Sequence, residues 1–447
     1  MKILLIAVNQ EKYPYPVQPI GLAYIASALT KKGYSTKILD LCFVDDFKSL
    51  IKEHIKSYHP DIIGFSIRNI DSTSYPETIY YLPKIFEIVH FCKENSNAHM
   101  IVGGSGFSIA PQEILQYLEL NTGIVGEGED IFCEVIESLM QGKDISGIYR
   151  ANISQIDDYS ASRDFLEIEK YISEGSITSV QSKRGCHFEC IYCTYPIIEG
   201  RKVRVRNPFD VACELEMLNK KYGIDYFCFV DNVFNFPLNH AESICNAIIE
   251  KGLKIKWTGF FHPKFITKDF VSLLVQAGCS GVELGIDSAS EKVLSILKKG
   301  FSTQHIIDAV SLCKQGGLNV CCCLILGGPG EDIATLKETF EIMDKTAPHA
   351  ILAYSGIRIY PKTEIEQIAI KEGYKLGNYL EPRFYISENL QDNLVKIIKD
   401  FASSHANFIY GGIPNEIPLE FLKRMRKRGV KGPLWELKSK FSRNFKK

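Results

Sequence analysis

Lys183-Arg184-Gly185-Cys186-His187-Phe188-Glu189-Cys190-Ile191-Tyr192-Cys193 sets the architecture of everything around it. The stretch puts three cysteines on one loop with the spacing Cys-x3-Cys-x2-Cys, directly after the apolar segment Ser176–Gln181. Three thiolates this close can wrap one iron–sulfur cube. A closed [4Fe–4S] site takes four protein ligands, so three leave one iron open to a substrate or cofactor. Zinc would want a fourth Cys or His to close a tetrahedron, and His187 would point off the loop beside Cys186. The chain holds 14 cysteines in all. With no export-type leader they do not read as a disulfide framework. Cys321, Cys322 and Cys323 occupy consecutive positions of a strand-like run, point to alternating faces and read as packing.

Outward from the loop, apolar runs predict strands at Ser176–Gln181, Tyr226–Val230, Ile255–Phe260, Gly281–Ile286, Val320–Leu326 and Ile351–Ile359, with helical stretches between them. Six βα units are too few for a closed eight-stranded barrel. They predict a partial (β/α)6 TIM-type barrel over residues 176–385, with ligands on the loops after the strands. Residues 386–447 read as a small helical C-terminal region. Its Lys- and Arg-rich end, from Lys423 on with Trp435, reads as a solvated terminal helix that could also touch phosphates or a membrane surface. Upstream, residues 1–147 alternate five strand signals with helices: Ile3–Val8, Thr36–Leu41, Asp61–Ile67, Met100–Val102 and Gly123–Val125. This predicts an α/β, doubly wound, Rossmann/flavodoxin-like domain. Residues 148–175 read as a connector with little regular structure.

Composition narrows the function classes. The chain has 447 residues, with 52 Lys+Arg against 53 Asp+Glu and 45% hydrophobic residues. That predicts a large packed core and argues against a globally basic nucleic-acid binder. No apolar run reaches the ~20 residues of a membrane span. Met1–Lys12 reads as a first buried strand rather than a secretory signal, so a cytoplasmic protein is expected.

With Tyr192 before its last cysteine, the triplet resembles that of the radical SAM superfamily. The resemblance implies a [4Fe–4S] cluster on Cys186, Cys190 and Cys193, whose open iron S-adenosylmethionine (SAM) chelates before reductive cleavage to a 5′-deoxyadenosyl radical. The strand ends Val230-Asp231-Asn232, Glu283-Leu284-Gly285-Ile286-Asp287-Ser288 and Gly327-Gly328-Pro329-Gly330-Glu331 support it. By analogy the Tyr192 backbone would meet the adenine. Glu283 and Ser288 would meet the ribose or methionine end, and the Gly327-Gly328 turn would complete the SAM contacts.

Segments of the first domain resemble, in the right order, the cobalamin-binding domain found ahead of some radical SAM barrels. They are Pro19-Ile20-Gly21-Leu22-Ala23, Asp61-Ile62-Ile63-Gly64-Phe65-Ser66, Val102-Gly103-Gly104 and Val125-Gly126-Glu127-Gly128-Glu129. Cobalamin contacts are then expected at Ser66, Arg68, Gly103, Gly104, Gly126 and Glu127. One departure matters. Many such domains carry Asp-x-His-x-x-Gly, whose His ligates cobalt from below, but the first His here is His54. Arg68 follows the third strand and could lie under the corrin, where a guanidinium cannot coordinate cobalt. This resembles the cobalamin-dependent tryptophan C2-methyltransferases. An Arg68–Asp71 loop ion pair is the plainer alternative.

The resemblance implies a class B-like methyltransferase. It would move a methyl group from methylcobalamin to an unactivated carbon, or phosphorus, of a small-molecule or natural-product substrate. An electron donor such as flavodoxin or ferredoxin would serve it. A non-methylating cyclase or rearrangement enzyme fits the same motifs. A methylthiotransferase does not, because the surroundings of Cys42, Cys92 and Cys133 do not match a second cluster. Tyr354, Arg358 and Tyr360 are expected either to line the substrate side or to pack the barrel.

Overall fold

The computed structural model of the chain describes all residues except 151, 152, 154, 158, 412–418 and 438–447. Its first sheet holds the five expected strands, Lys2–Ala7, Ser35–Asp40, Ile62–Ser66, His99–Gly103 and Thr122–Val125. A sixth, Gly147–Arg150, pairs with Thr122–Val125, so the segment expected to be irregular opens with an edge strand. The same connector also holds the helix Ile168–Ser173. All ladders are parallel. Along the sheet the strands beginning at Ser35, Lys2, Ile62, His99, Thr122 and Gly147 follow in that order. The winding therefore reverses between Lys2–Ala7 and Ile62–Ser66, which opens a crevice at the carboxyl ends of the strands. Alternation along the first strand explains why it reads as a continuous apolar run: both faces are covered. Leu4 and Ile6 pack with Ile51, Ile85 and Ile88, while Ile3 and Leu5 pack with Leu22, Leu29 and Ile136.

The second sheet has seven strands, all parallel. The six expected ones are Thr178–Val180, Tyr226–Phe229, Lys256–Phe261, Cys279–Asp287, Asn319–Leu326 and Ala350–Ser355. Phe408–Tyr410, from the region expected to be helical, adds the seventh beside Ala350–Ser355. Phe227, Phe229, Trp257, Val282, Leu284, Val320, Cys322 and Ile351 pack outward against the helices. Their alternates Cys228, Phe260, Glu283, Gly285, Cys321, Cys323 and Tyr354 consequently face the lumen.

The barrel stays open between Thr178–Val180 and Phe408–Tyr410, and loops of the first domain cover that opening. Gln18 Nε2 donates to Thr178 Oγ1 at one edge (3.5 Å). At the other edge Ser355 Oγ and the Tyr410 hydroxyl donate to the Tyr75 carbonyl (2.8 and 3.3 Å). The C-terminal region closes the floor. Trp435, expected on a solvated helix, is only 4% exposed and packs against Cys321, Ala350 and Ile409. Glu436 accepts hydrogen bonds from Tyr226 and Ser280 at the strand starts (2.9 Å each). Residues 438–447, the rest of the basic tail, lie outside the described residues. Among the described residues no helix is long and apolar enough to cross a membrane.

Candidate active site

The cysteine loop is held at its root. Asp231, at the end of the second barrel strand, accepts hydrogen bonds from Ser182 N (2.7 Å), Ser182 Oγ (2.5 Å) and Lys183 N (3.1 Å). Glu199 accepts from Gly185 N and Asn232 Nδ2, both at 2.9 Å. Gly185 turns the chain with φ +90°, and a Cβ there would lie 2.2 Å from the Lys202 carbonyl oxygen, so only glycine fits. Cys186 is buried, and Cys190 and Cys193 are half-buried. Burial pushes all three thiols up, Cys193 to about 12, with Cys190 and Cys186 adding to the Cys193 shift. Three neighbouring thiols in this state need an external positive centre to ionise. Among the described residues, no three His, Cys, Asp or Glu side chains stand close enough for a single ion. A four-iron cube puts each thiolate on a different iron, and so accepts a wider spacing.

Behind the loop, Lys299 Nζ donates to Asp287 Oδ2 at 2.7 Å, the Tyr192 hydroxyl donates to the same oxygen, and Lys299 reaches Tyr192 at 3.3 Å. Burial opposes the charge on Lys299, but Asp287 keeps its pKa above the usual lysine value. The family resemblance pointed to Glu283 on this strand and Ser288 just after it rather than to Asp287. The strand shifts register between Gly285 and Asp287, and Asp287 takes φ +64°. That irregularity brings Asp287 to Tyr192, and nothing in the residue string announces it. Ser288 is fully buried, with its hydroxyl on Thr339 Oγ1 (3.0 Å) and Ser290 N (3.2 Å). Glu283 lies deeper in the lumen. The amides of Gly327 and Gly328 both donate to Glu331, so this turn is closed by its own carboxylate. Burial pushes Glu331 up to about 7 against those two bonds.

All six residues expected to meet cobalamin line one cavity of about 500 Å³ at the carboxyl ends of the first sheet. Its far wall belongs to the barrel: Gln181, Arg184, Tyr195, Ile198 and Glu199. Two glycines make the wall tight. Gly104 has φ +103°, and a Cβ there would come within 2.4 Å of the Ile67 carbonyl oxygen. Gly126 has φ +78° and faces the Ile198 carbonyl, next to the cysteine loop. Glu127 has a second task. Its carboxylate pairs with Arg204 (2.5 Å) and faces Arg184 (3.8 Å), which itself pairs with Glu129 at 2.7 Å. These buried pairs tie the first domain to the root of the cysteine loop.

The Arg68–Asp71 pair does not form. Asp71 accepts from Arg358 Nε of the barrel at 2.9 Å. Arg68 instead lines the cavity with its buried Nε unpartnered, near Tyr81, Cys42, Tyr171 and Glu11. Among the described residues, no histidine lines the cavity. A large crevice walled by glycine turns, with an orphaned guanidinium atom, fits a bulky polar cofactor. Of the other expectations, Tyr354 faces the lumen. Arg358, bonded to Asp71 and to the Ile359 and Tyr379 carbonyls, and Tyr360 beneath it are interdomain packing. Cys92 and Cys133 sit in cores on opposite faces of the first sheet and cannot share a metal.

The comparisons match this arrangement domain by domain. Residues 6–136 match the B12 binding domain model and residues 180–343 the radical SAM superfamily model. The chain is 30% identical over 396 residues to an uncharacterized methyltransferase of Pyrococcus horikoshii, covering 83% of each chain. This chain belongs to the cobalamin-dependent radical SAM enzymes. The family's cofactors are a [4Fe–4S] cluster, SAM and cobalamin. The fold agrees with that of the methyltransferase TsrM from Kitasatospora setae, solved with cobalamin and a [4Fe–4S] cluster bound. The TM-score is 0.87 at 22% identity, over 98% of this chain and 97% of that one. An anaerobic magnesium-protoporphyrin IX monomethyl ester cyclase of Rubrivivax gelatinosus is 24% identical over 350 residues, covering 72% of this chain and 61% of that protein.

Proposed function

We propose that this enzyme methylates an unactivated carbon, or phosphorus, of a small-molecule substrate held between the cobalamin cavity and the barrel lumen. The shared wall carries the reading. Arg184, Tyr195, Ile198 and Glu199, which flank the cysteine loop, also line the cavity with Ser66, Arg68, Gly103, Gly104 and Gly126. Bound at these sites, the cluster, SAM and cobalamin supply reductive cleavage of SAM and a methyl group for transfer. The protein's part is to hold, orient and exclude water. Cys186, Cys190 and Cys193 are the cluster ligands. The backbone at Tyr192, the Asp287–Lys299 pair behind it and the Gly327-Gly328 turn form the SAM side. Gly103, Gly104 and Gly126 allow close backbone approach on the cobalamin side. Arg68 lines the same cavity, and its guanidinium would meet bound cobalamin as a charge that cannot ligate cobalt.

We further infer an electron donor such as flavodoxin or ferredoxin, and a reducing, cytoplasmic setting. All 14 cysteines are free thiols, which supports it. The methyltransferase relatives favour methyl transfer, and the cyclase relative keeps a non-methylating reaction as the second reading. Anaerobically purified, reconstituted protein should bind iron, sulfide and cobalamin. After reduction with substrate it should form both S-adenosylhomocysteine and 5′-deoxyadenosine. 5′-Deoxyadenosine together with an altered substrate that has gained no methyl would select the second reading. No cobalamin uptake would overturn the assignment of the first domain.

A further inference from the structure

Inside the barrel, beneath the level of Asp287, one carboxyl group has no counter-charge. Glu283 is flanked in its strand by Val282 and Leu284, which pack outward, so its own side chain enters the lumen. It is 8% exposed. In register it stands beside Phe260 on one side and Cys321 on the other. Tyr15, reaching in from the first domain, and Tyr354, Cys228 and Cys321 are within electrostatic reach. Trp435 and Glu436 face it from the floor.

Among the described residues, no lysine, arginine or histidine forms an ion pair with this carboxyl, and Trp435, the hydrogen-bond donor that faces it from the floor, is uncharged. Arg426, which lies near Tyr15 and Glu436, donates to the carbonyls of Gly175 (3.1 Å), Val430 (3.1 Å) and Gly432 (2.5 Å). Space beside Glu283 is open. A Cβ on Gly285, the next lumen-facing residue, would meet no atom within 4 Å. Phe260 is 40% exposed although it sits on a barrel strand. A buried carboxylate without a cation is costly. It persists in a folded chain if it holds a proton or if a cation joins it from outside.

We propose that Glu283 anchors a protonated amine of the substrate, which is therefore an amine-bearing small molecule whose flat apolar body lies over Gly285 against Phe260 and Tyr354. This rests on the lumen being the substrate side of the reaction proposed above. It also separates Glu283 from the SAM contacts, because Asp287, four residues nearer the strand's carboxyl end, is the acid that Tyr192 of the cysteine loop engages. Burial pushes Glu283 up to about 7. An alkylamine with a pKa of about 10 would hand the site a positive charge at neutral pH and draw the carboxyl into its ionised form.

The test is binding, read by ligand-observed NMR on protein reconstituted with cluster and cobalamin and loaded with the aza analogue of SAM. The probes are matched pairs: tryptamine against indole-3-propionate, and phenethylamine against 3-phenylpropionate. The amine of each pair should bind about tenfold or more tighter than the acid. Glu283→Gln should erase that preference while SAM affinity stays within about twofold. Glu283→Asp, which keeps the charge, should retain the preference with weaker binding. The Gln variant removes repulsion from Glu436 and should fold, which its melting temperature reports. Equal binding of amine and acid, binding of neither, or a preference that survives in Glu283→Gln overturns the proposal. So does loss of SAM affinity in that variant, which would return Glu283 to the cofactor. The probes bind or fail to bind without turnover, so failure of methyl transfer is read separately.

Discussion

Arg68 illustrates how a side chain's role follows from who takes its neighbours. Asp71 is the nearest carboxylate in sequence, yet it pairs with Arg358 across the domain boundary, and Arg68 is left facing the cavity. Arg68→Ala should alter the absorption spectrum of bound cobalamin and lower methylation at least about tenfold. An unchanged spectrum and unchanged turnover would show that Arg68 does not meet the cofactor. Glu283 makes a second prediction. In the folded chain it keeps its proton up to about pH 7, against a reference value of 4.5 when solvated. Folding therefore favours the protonated form. Its own share should lower stability by about 1–3 kcal/mol as pH rises from 4.5 to 7, and Glu283→Gln should flatten the slope in denaturant titrations by that amount, leaving the share of Glu331. The cysteine triplet was legible because it is local: Cys186, Cys190 and Cys193 share one loop in the sequence as in the fold. Asp287 was not, because its approach to Tyr192 depends on a register shift in its strand, and Ser288 beside it turns to Thr339 instead.

At the level of elements, the turns after the first-domain strands shape the cavity proposed for cobalamin. Gly104→Ala would set a Cβ 2.4 Å from the Ile67 carbonyl oxygen at φ +103°. The cost should be about 1–3 kcal/mol, and cobalamin retained through gel filtration should fall sharply. Full retention with unchanged thermal unfolding would mean the turn relaxes and the close approach is not needed. Most strands were readable because they are largely buried and read as apolar runs. In the two large sheets, the two that were not, Gly147–Arg150 and Phe408–Tyr410, are short edge strands of four and three residues. Their pairing comes from a neighbour distant in the chain rather than from their own pattern. Trp435 escaped in the same way. A basic C-terminal stretch gives no hint that its indole stops the floor of a barrel.

Across the whole molecule, the domains are joined by buried ion pairs close to the proposed chemistry: Asp71 with Arg358, Glu129 with Arg184 and Glu127 with Arg204. Arg358→Ala strands the fully buried Asp71 carboxylate and should cost about 3–5 kcal/mol in chemical denaturation. Adding Asp71→Ala should recover part of that loss, and strict additivity of the two changes would show that the pair is not coupled. The loops that cover the barrel's side carry a different implication. Gln18 and Tyr75 reach opposite edges of the gap, so the barrel borrows its missing wall from the first domain. The two halves are then not interchangeable cassettes. A chimera that fuses this barrel to a foreign cobalamin module would inherit a breach in its side unless the donor brought loops cut to the same span, and the two halves can diverge only in step.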